Sequence, residues 1–415
     1  MTPYKRVVIT GTGAVSPLGN TVQENWEKLL AGNSGIGTLT RFDATGFRCR
    51  IGGEVKNFAT DTLLDPKEAK RLDMFCHFAV AAADQAVNQA GLSGSEHGVN
   101  PERIGVMVSS GIGGLGTLSQ QIQNLLDKGP GRVSPLTVPM MISDMAAGYL
   151  AIRYQFQGPN FGLVSACASG LHSIGEAFWM IRRGDADVIL AGGTEAGITP
   201  IGQASFSSMH ALSERNDDPT HASRPFDRDR DGFVPAEGAG ILVLEDAEHA
   251  ARRGATALAE VIGYGLSGDA FHITAPHSEG LGAARAICNA FTCAELPISA
   301  LDYVNAHGTS TPLNDKVETL ALKRALGEHA YRVAISSTKS MTGHMLGAAG
   351  GFESVVCALA LKNGVIPGTM NYQTPDPDCD LNYTPNQCRE LPLKVALNVS
   401  LGFGGHNAAV LFKAM

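Results

Sequence analysis

The sequence predicts an α/β protein assembled from two related halves. Three observations carry that prediction: short Val- and Ile-rich runs that read as buried strands, stretches of helical apolar period between them, and the return of the same strand-turn-helix plan later in the chain. The strand-like runs lie at 6–10, 104–109, 188–191 and 240–244. After Cys167, the residues Leu171, Ile174, Phe178 and Ile181 recur at spacings of three and four, and Gly184 stands where a helix would stop. The helix therefore starts at or near Cys167.

The second half repeats the plan. Residues 332–337 read as a strand, a Gly- and Ser-rich turn follows, and 347–363 reads as an apolar helix ended by Gly364. Segments 161–184 and 332–364 are thus analogous, as are 104–116 and 301–311, with the join near 250–260. Residues 213–238 are charged and rich in Pro and Gly, too polar for a core element, and read as a long ordered loop.

At 415 residues the chain has room for two substantial cores or one large body. A net charge of −8 leaves no global positive field for nucleic acid or an anionic membrane, so an acidic partner must meet a local basic patch. The N-terminus runs directly into a strand without an apolar signal region, and no run approaches the roughly 18 apolar residues of a membrane span. A soluble, cytoplasmic protein is expected. Its 8 cysteines include no CxxC pair, which argues against a disulfide framework or a structural zinc site.

Gly111-Ile-Gly-Gly-Leu-Gly116 satisfies GxGxxG after a strand, the pattern of a dinucleotide-binding turn. It does not sit in the first strand-helix unit, and no acidic residue ends a strand about 20 residues on. A plain Gly-rich turn is the better account of it. Cys167 lies in VSACASG, where small neighbours allow a sharp turn and close approach to the sulfur. A helix N-terminus there favours the thiolate, although a buried inert cysteine has the same local signature. His307 in NAHGTST and His344 in STKSMTGH follow strands in small-residue loops. One His is ordinarily structural, whereas two in equivalent loops with a Cys in a third point to a shared site. The trio could hold zinc, but the loops offer no short ligand pair and no obvious fourth group.

Together VSACASG, NAHGTSTPLND, STKSMTGHMLGAAGG and GFGGHN resemble the β-ketoacyl-acyl-carrier-protein synthases of the thiolase superfamily. The likeness runs from ITGTGAVSPLG to the C-terminus, and SSGIGG, with Ile112, resembles the type II synthases. The resemblance implies a five-layered αβαβα thiolase fold with halves 1–254 and 255–415, a homodimer, and no metal or organic cofactor, phosphopantetheine arriving on the carrier protein. It implies acyl transfer to Cys167, then decarboxylation of malonyl carrier protein with His307 and His344 binding the thioester carbonyl. The backbone N–H groups of Cys167 and Phe403 would form a second oxyanion hole. By the same match Lys339 supports His344, Thr309 and Thr311 touch the phosphopantetheine arm, and Ile112 lies where the acyl tail passes the dimer interface. Lys67, Lys70 and Arg71, at i, i+3 and i+4, would share a helix face that docks the acyl carrier protein.

Val399 and Leu401 depart from the commonest family pattern, behind the expected gate. Fatty acid chain elongation is the activity implied. A specialised polyketide or polyene ketosynthase would keep the same three residues, and a nicotinamide oxidoreductase or a non-catalytic carrier-binding subunit would not need Cys167.

Overall fold

Nine strands hydrogen-bond into one sheet in the computed structural model, which describes residues 4–94 and 98–415. They are β1 (Val7–Val15), β2 (Ile104–Ser109), β3 (Val188–Glu195), β4 (Gly238–Asp246), β5 (Ala259–Gly268), β6 (Tyr303–Asn305), β7 (Ala334–Ser336), β8 (Val395–Gly402) and β9 (His406–Ala414). Their order is β2-β3-β4-β1-β5-β9-β8-β6-β7. The antiparallel pair β1 and β5 sits at the centre, and the two arms repeat outward from it. Beside β1 come β4 and β3, both antiparallel, then β2, parallel to β3. Beside β5 come β9 and β8, both antiparallel, then β6, parallel to β8. Each arm ends on a further parallel partner, a bridge from Val106 to Asn160 in one and β7 in the other. The duplication expected from the sequence is therefore present in the strand order.

Seven helices matter to the site: α1 (Met74–Gln89), α2 (Leu115–Lys128), α3 (Met145–Tyr154), α4 (Ser169–Arg183), α5 (Leu281–Ala294), α6 (Pro312–Leu326) and α7 (Ala349–Asn363). One outer layer is α1, on β1 and β4, with α3 beside it; the other is α5, on β5 and β9, with α6 beside it. Between the arms lie α4 and α7, touching each other and strands of both. The result is five layers, α, β, α, β, α. Strands covered on both faces are apolar along most of their length, and β2, β3 and β4 are buried from end to end.

The central layer is packed backbone to backbone. A Cβ on Gly193 would stand 2.1 Å from the Gly347 carbonyl oxygen, and one on Gly170 2.7 Å from the same atom. Only glycine permits that approach.

The helix read after Cys167 begins with a 3-10 turn, Ala166–Ala168, and ends at Gly184, which takes φ +85. Its counterpart begins with the turn Leu346–Ala348 and ends at Gly364, φ +66. Residues 213–238 do form a long loop, but much of it is interior: Arg224, Asp227 and Arg230 are all buried. Polarity does not keep it outside because its charges are paired. Asp227 accepts from Gln373 N and Thr374 N at 2.6 Å, and Arg230 bonds the carbonyl of Pro312 at 2.9 Å.

Candidate active site

Cys167 stands in the first turn of its helix, immediately after Ala166, a non-glycine residue held at φ +51. The second half repeats this bend with Leu346 at φ +49, followed by Gly347 where the first half has Cys167. Left-handed backbone at a side-chain-bearing residue costs about 1 kcal/mol or more, so both bends must be held by their surroundings.

His307 follows β6. Its amide and that of Gly308 both donate to Glu318 of α6, at 2.6 and 2.7 Å, which fixes the loop that presents the imidazole. His344 is held by the long loop of the first half: its amide donates to Val234 O at 2.7 Å, and Ala236 N donates to its carbonyl at 2.9 Å. The Phe233 ring meets the His344 ring edge-on at 5.4 Å.

These elements bring the three residues together. His344 Nε2 lies 3.1 Å from Cys167 Sγ, and the His307 ring stands perpendicular to that of His344 with centroids 5.3 Å apart. All three are buried. Burial, with the positive charge of Lys339, holds both imidazoles well below the usual histidine range, so they are neutral near pH 7. Burial also pushes the Cys167 thiol up to about 12, against the pull of Lys339. The helix N-terminus is where the sequence put it, but desolvation outweighs it and the resting sulfur is a thiol. Lys339 is itself buried and bonded to Glu353, whose carboxyl burial raises to about 7.

A cavity of about 210 Å³ opens over the three side chains. Ile112, Thr309, Thr311 and Phe403 line it, as does Leu401, which places that departure on the wall itself rather than behind a gate. Val399 is buried away from it. Thr309 and Thr311 are hydrogen-bonded to each other at 3.0 Å, and Thr311 also caps α6. Gly402 abuts the Cys167 turn, a Cβ there lying 3.4 Å from Cys167 N, so the tip of the β8–β9 hairpin, with Phe403, stands beside the sulfur.

The glycine run does lead from a strand into α2, as a dinucleotide fingerprint would. Its amides are already taken: Gly111 N and Ile112 N donate to Glu195 at 2.9 and 3.3 Å, so they are not free to cradle a pyrophosphate.

Residues 4–250 match the family model described as Beta-ketoacyl synthase, N-terminal domain, and residues 258–373 match its C-terminal domain. The chain belongs to the β-ketoacyl synthase family. It is 54% identical over 409 residues to 3-oxoacyl-[acyl-carrier-protein] synthase 2 of Synechocystis sp., covering 99% of this chain and 98% of that protein. It is 47% identical to the protein of the same name from Coxiella burnetii, with 98% of each covered. Among solved structures it is similar to a β-ketoacyl synthase from Burkholderia phymatum, at 34% identity and TM-score 0.92, covering 99% of this chain and 100% of the other. A type II PKS ketosynthase solved with its acyl-carrier protein aligns at 36% identity and TM-score 0.90, covering the same shares. These thiolase-fold ketosynthases agree with the five-layered architecture.

This synthase also uses two buried carboxylates that motif reading missed. Glu318 sits three residues beyond the quoted NAHGTSTPLND, and Glu195 ends β3, distant in sequence from its partners. Glu195 accepts from Ser110 Oγ at 2.6 Å and from Gly347 N at 3.0 Å besides the two amides named above, tying the Ile112 loop to the bend after His344. Only a buried acid at the end of an apolar strand could have flagged it.

Lys67, Lys70 and Arg71 are exposed and make no ion pair among the described residues. They do not share one helix face, because the helix is only Pro66–Ala69: Lys70 caps it and Arg71 lies beyond, where Leu72 and Asp73 turn inward and Asp73 caps α1.

Among the described residues no group of three or more His, Cys, Asp or Glu side chains is arranged to hold a metal. Oxygen atoms of Asn305, Asn398, Ser400 and Glu353 are buried without a hydrogen-bond partner among the described residues.

Proposed function

We propose that this protein is a decarboxylative condensing enzyme of fatty acid chain elongation. The observation that carries the reading is the contact of His344 Nε2 with Cys167 Sγ at 3.1 Å, with His307 edge-on beside it, in a chain whose curated relatives are named 3-oxoacyl-[acyl-carrier-protein] synthase 2.

In the first stage Cys167 sulfur attacks the thioester of an acyl carrier protein. The carrier sulfur leaves with the thiol proton and the acyl group remains on Cys167. The N–H groups of Cys167 and Phe403 receive the developing oxyanion; Cys167 N is in the first helical turn, where an amide has no acceptor inside the helix. In the second stage malonyl carrier protein loses CO₂, and the electron pair released forms an enolate. Its carbon attacks the Cys167 thioester, giving 3-oxoacyl carrier protein and a cysteine sulfur that regains a proton.

Neutral imidazoles suit the enolate step. Nδ1 of His307 and of His344 has no hydrogen-bond partner among the described residues, so the proton is better placed on Nε2, directed into the cavity. Lys339 adds positive charge behind both rings. Thr309 and Thr311 stand on the cavity wall where a phosphopantetheine arm would pass, and Ile112 stands where the acyl tail would begin. The reading needs no resident cofactor.

Lys67, Lys70 and Arg71 offer unpaired positive charge for the carrier protein. A homodimer is supported by the apolar side chains exposed between residues 122 and 164, among them Leu126, Val138, Ile152 and Val164. The halves divide at 254/255, between the two family matches. Among the described residues no helix is long and apolar enough to cross a membrane, which is consistent with a cytoplasmic enzyme.

Intact-protein mass spectrometry after incubation with acyl carrier protein tests the reading. An acyl adduct that maps to Cys167 and vanishes in Cys167→Ala is expected. Equal labelling of the variant would sink the proposal.

A further inference from the structure

Nothing in the reaction just described uses His172, a buried histidine of α4 five residues after Cys167. Its Nδ1 lies 2.6 Å from Ser165 Oγ, and Ser165 is buried as well. On the other side the ring comes near the backbone of Asn407 in β9. At that distance Ser165 Oγ and Nδ1 share a hydrogen bond, one of them donating.

Ser165 is the residue before the strained Ala166. Its amide takes Ser169 Oγ at 2.9 Å, and Ser169 Oγ in turn donates to Ala166 O at 2.7 Å. The Ser165 carbonyl is the nearest atom to a Cβ on Gly402, at 2.6 Å. The bend that aims the sulfur is thus held at every polar atom of Ser165, and among the described residues its side chain is held by His172 alone. The matching bend at Leu346 is braced differently, by Glu195 on Gly347 N. Near the far side of the ring, Asn407 lies on the cavity wall, and its Nδ2 donates to Asp269 Oδ1 at 2.8 Å.

We infer that His172 is a positioning residue for Cys167, which through Ser165 fixes the bend that aims the sulfur. This rests on Cys167 as the nucleophile, but on no particular acyl donor. A ring hydrogen-bonded to the Ser165 hydroxyl sets both spacing and direction. A merely space-filling residue would set only spacing.

The test compares two half-reactions in Ser165→Ala, His172→Phe and His172→Gln. Iodoacetamide alkylation of Cys167, followed on its own peptide because Cys288 and Cys388 are exposed, reads the aim of the sulfur without any carrier protein. Release of CO₂ from malonyl carrier protein reads the imidazole pair. Loss of one buried neutral hydrogen bond should slow alkylation and acyl transfer roughly five- to tenfold in Ser165→Ala and in His172→Phe. Decarboxylation should stay within about twofold, and His172→Gln, which can both accept and donate, should recover most of the alkylation rate. Ser165→Ala leaves the ring in place and keeps the test informative if His172→Phe folds poorly. Parental alkylation in Ser165→Ala, or equal loss of alkylation and decarboxylation in every variant, overturns the inference. Failure of the condensation reading would show instead as an absent acyl adduct with the alkylation pattern unchanged.

Discussion

Substituting Ile112 by Phe tests where the acyl chain runs. Ile112 packs against the cluster that contains Cys167 and Leu346, and its amide is anchored on Glu195, so the loop carrying it cannot easily retreat. Overpacking a site that cannot yield costs about 1–3 kcal/mol. At about 1.4 kcal/mol per factor of ten, that is a loss of about five- to 150-fold for any acyl chain that must pass the ring. The parental enzyme should gain about 0.8 kcal/mol, or about fourfold, for each further buried methylene. In the variant, kcat/KM for acyl carrier proteins of increasing length should follow the parent for short donors and then fall by that factor once the tail reaches position 112. Stopped-flow acylation of Cys167 across the series is the measurement, with CO₂ release as the control that should not move. A uniform fall at every length would mean a damaged fold. No fall at any length would put Ile112 outside the path.

Cys167→Ala should abolish condensation and still release CO₂ from malonyl carrier protein, whereas His307→Ala or His344→Ala should stop that release; a radiometric CO₂ assay separates the two, and condensation by Cys167→Ala would refute the assignment. Reversing Lys70 and Arg71 to Glu should raise KM for carrier-protein substrates, with the difference shrinking as salt rises, and leave acyl-CoA turnover unchanged. His344 takes up a proton near 6.5 when unfolded but not when folded, so it contributes stability that is present above that pH and lost below it. The loss approaches about 1.4 kcal/mol per pH unit for one such group, so His344→Gln should flatten the acid side of a urea-unfolding series between about pH 7 and pH 5. Glu318 and Glu353, raised to about 7, act with the opposite sign in that range, so the comparison is variant against parent. An unchanged slope would show that His344 is not held neutral.

Much of this was legible before the fold was known. The run 104–109 is the strand β2 residue for residue, and Gly184 and Gly364 end their helices in the left-handed conformation that only glycine takes without strain. Strands β5 and β8 escaped notice because glycine, serine and asparagine interrupt their apolar runs; Asn398 and Ser400 point polar groups into the interior, against what periodicity expects. Cys167, His307 and His344 announced themselves by the small residues around them. Glu195, Glu318 and His172 did not, since each acts only through partners that folding brings to it. The docking segment misled in the opposite direction: its spacing is helical, but the helix ends before the spacing can be used.

The glycine contacts of the central layer have a mechanical consequence. Cys167 belongs to the first half and both histidines to the second, yet Gly170, Gly193 and Gly347 leave no side chain between the halves to be compressed or sheared. The joint is stiff where the sulfur faces the imidazoles. Ile112 and Phe403 stand on the cavity wall beyond that joint, where they bear on how a donor enters without altering the distance between sulfur and imidazoles. An enzyme built this way leaves the choice of donor to its cavity wall, while the spacing of its chemistry stays constant.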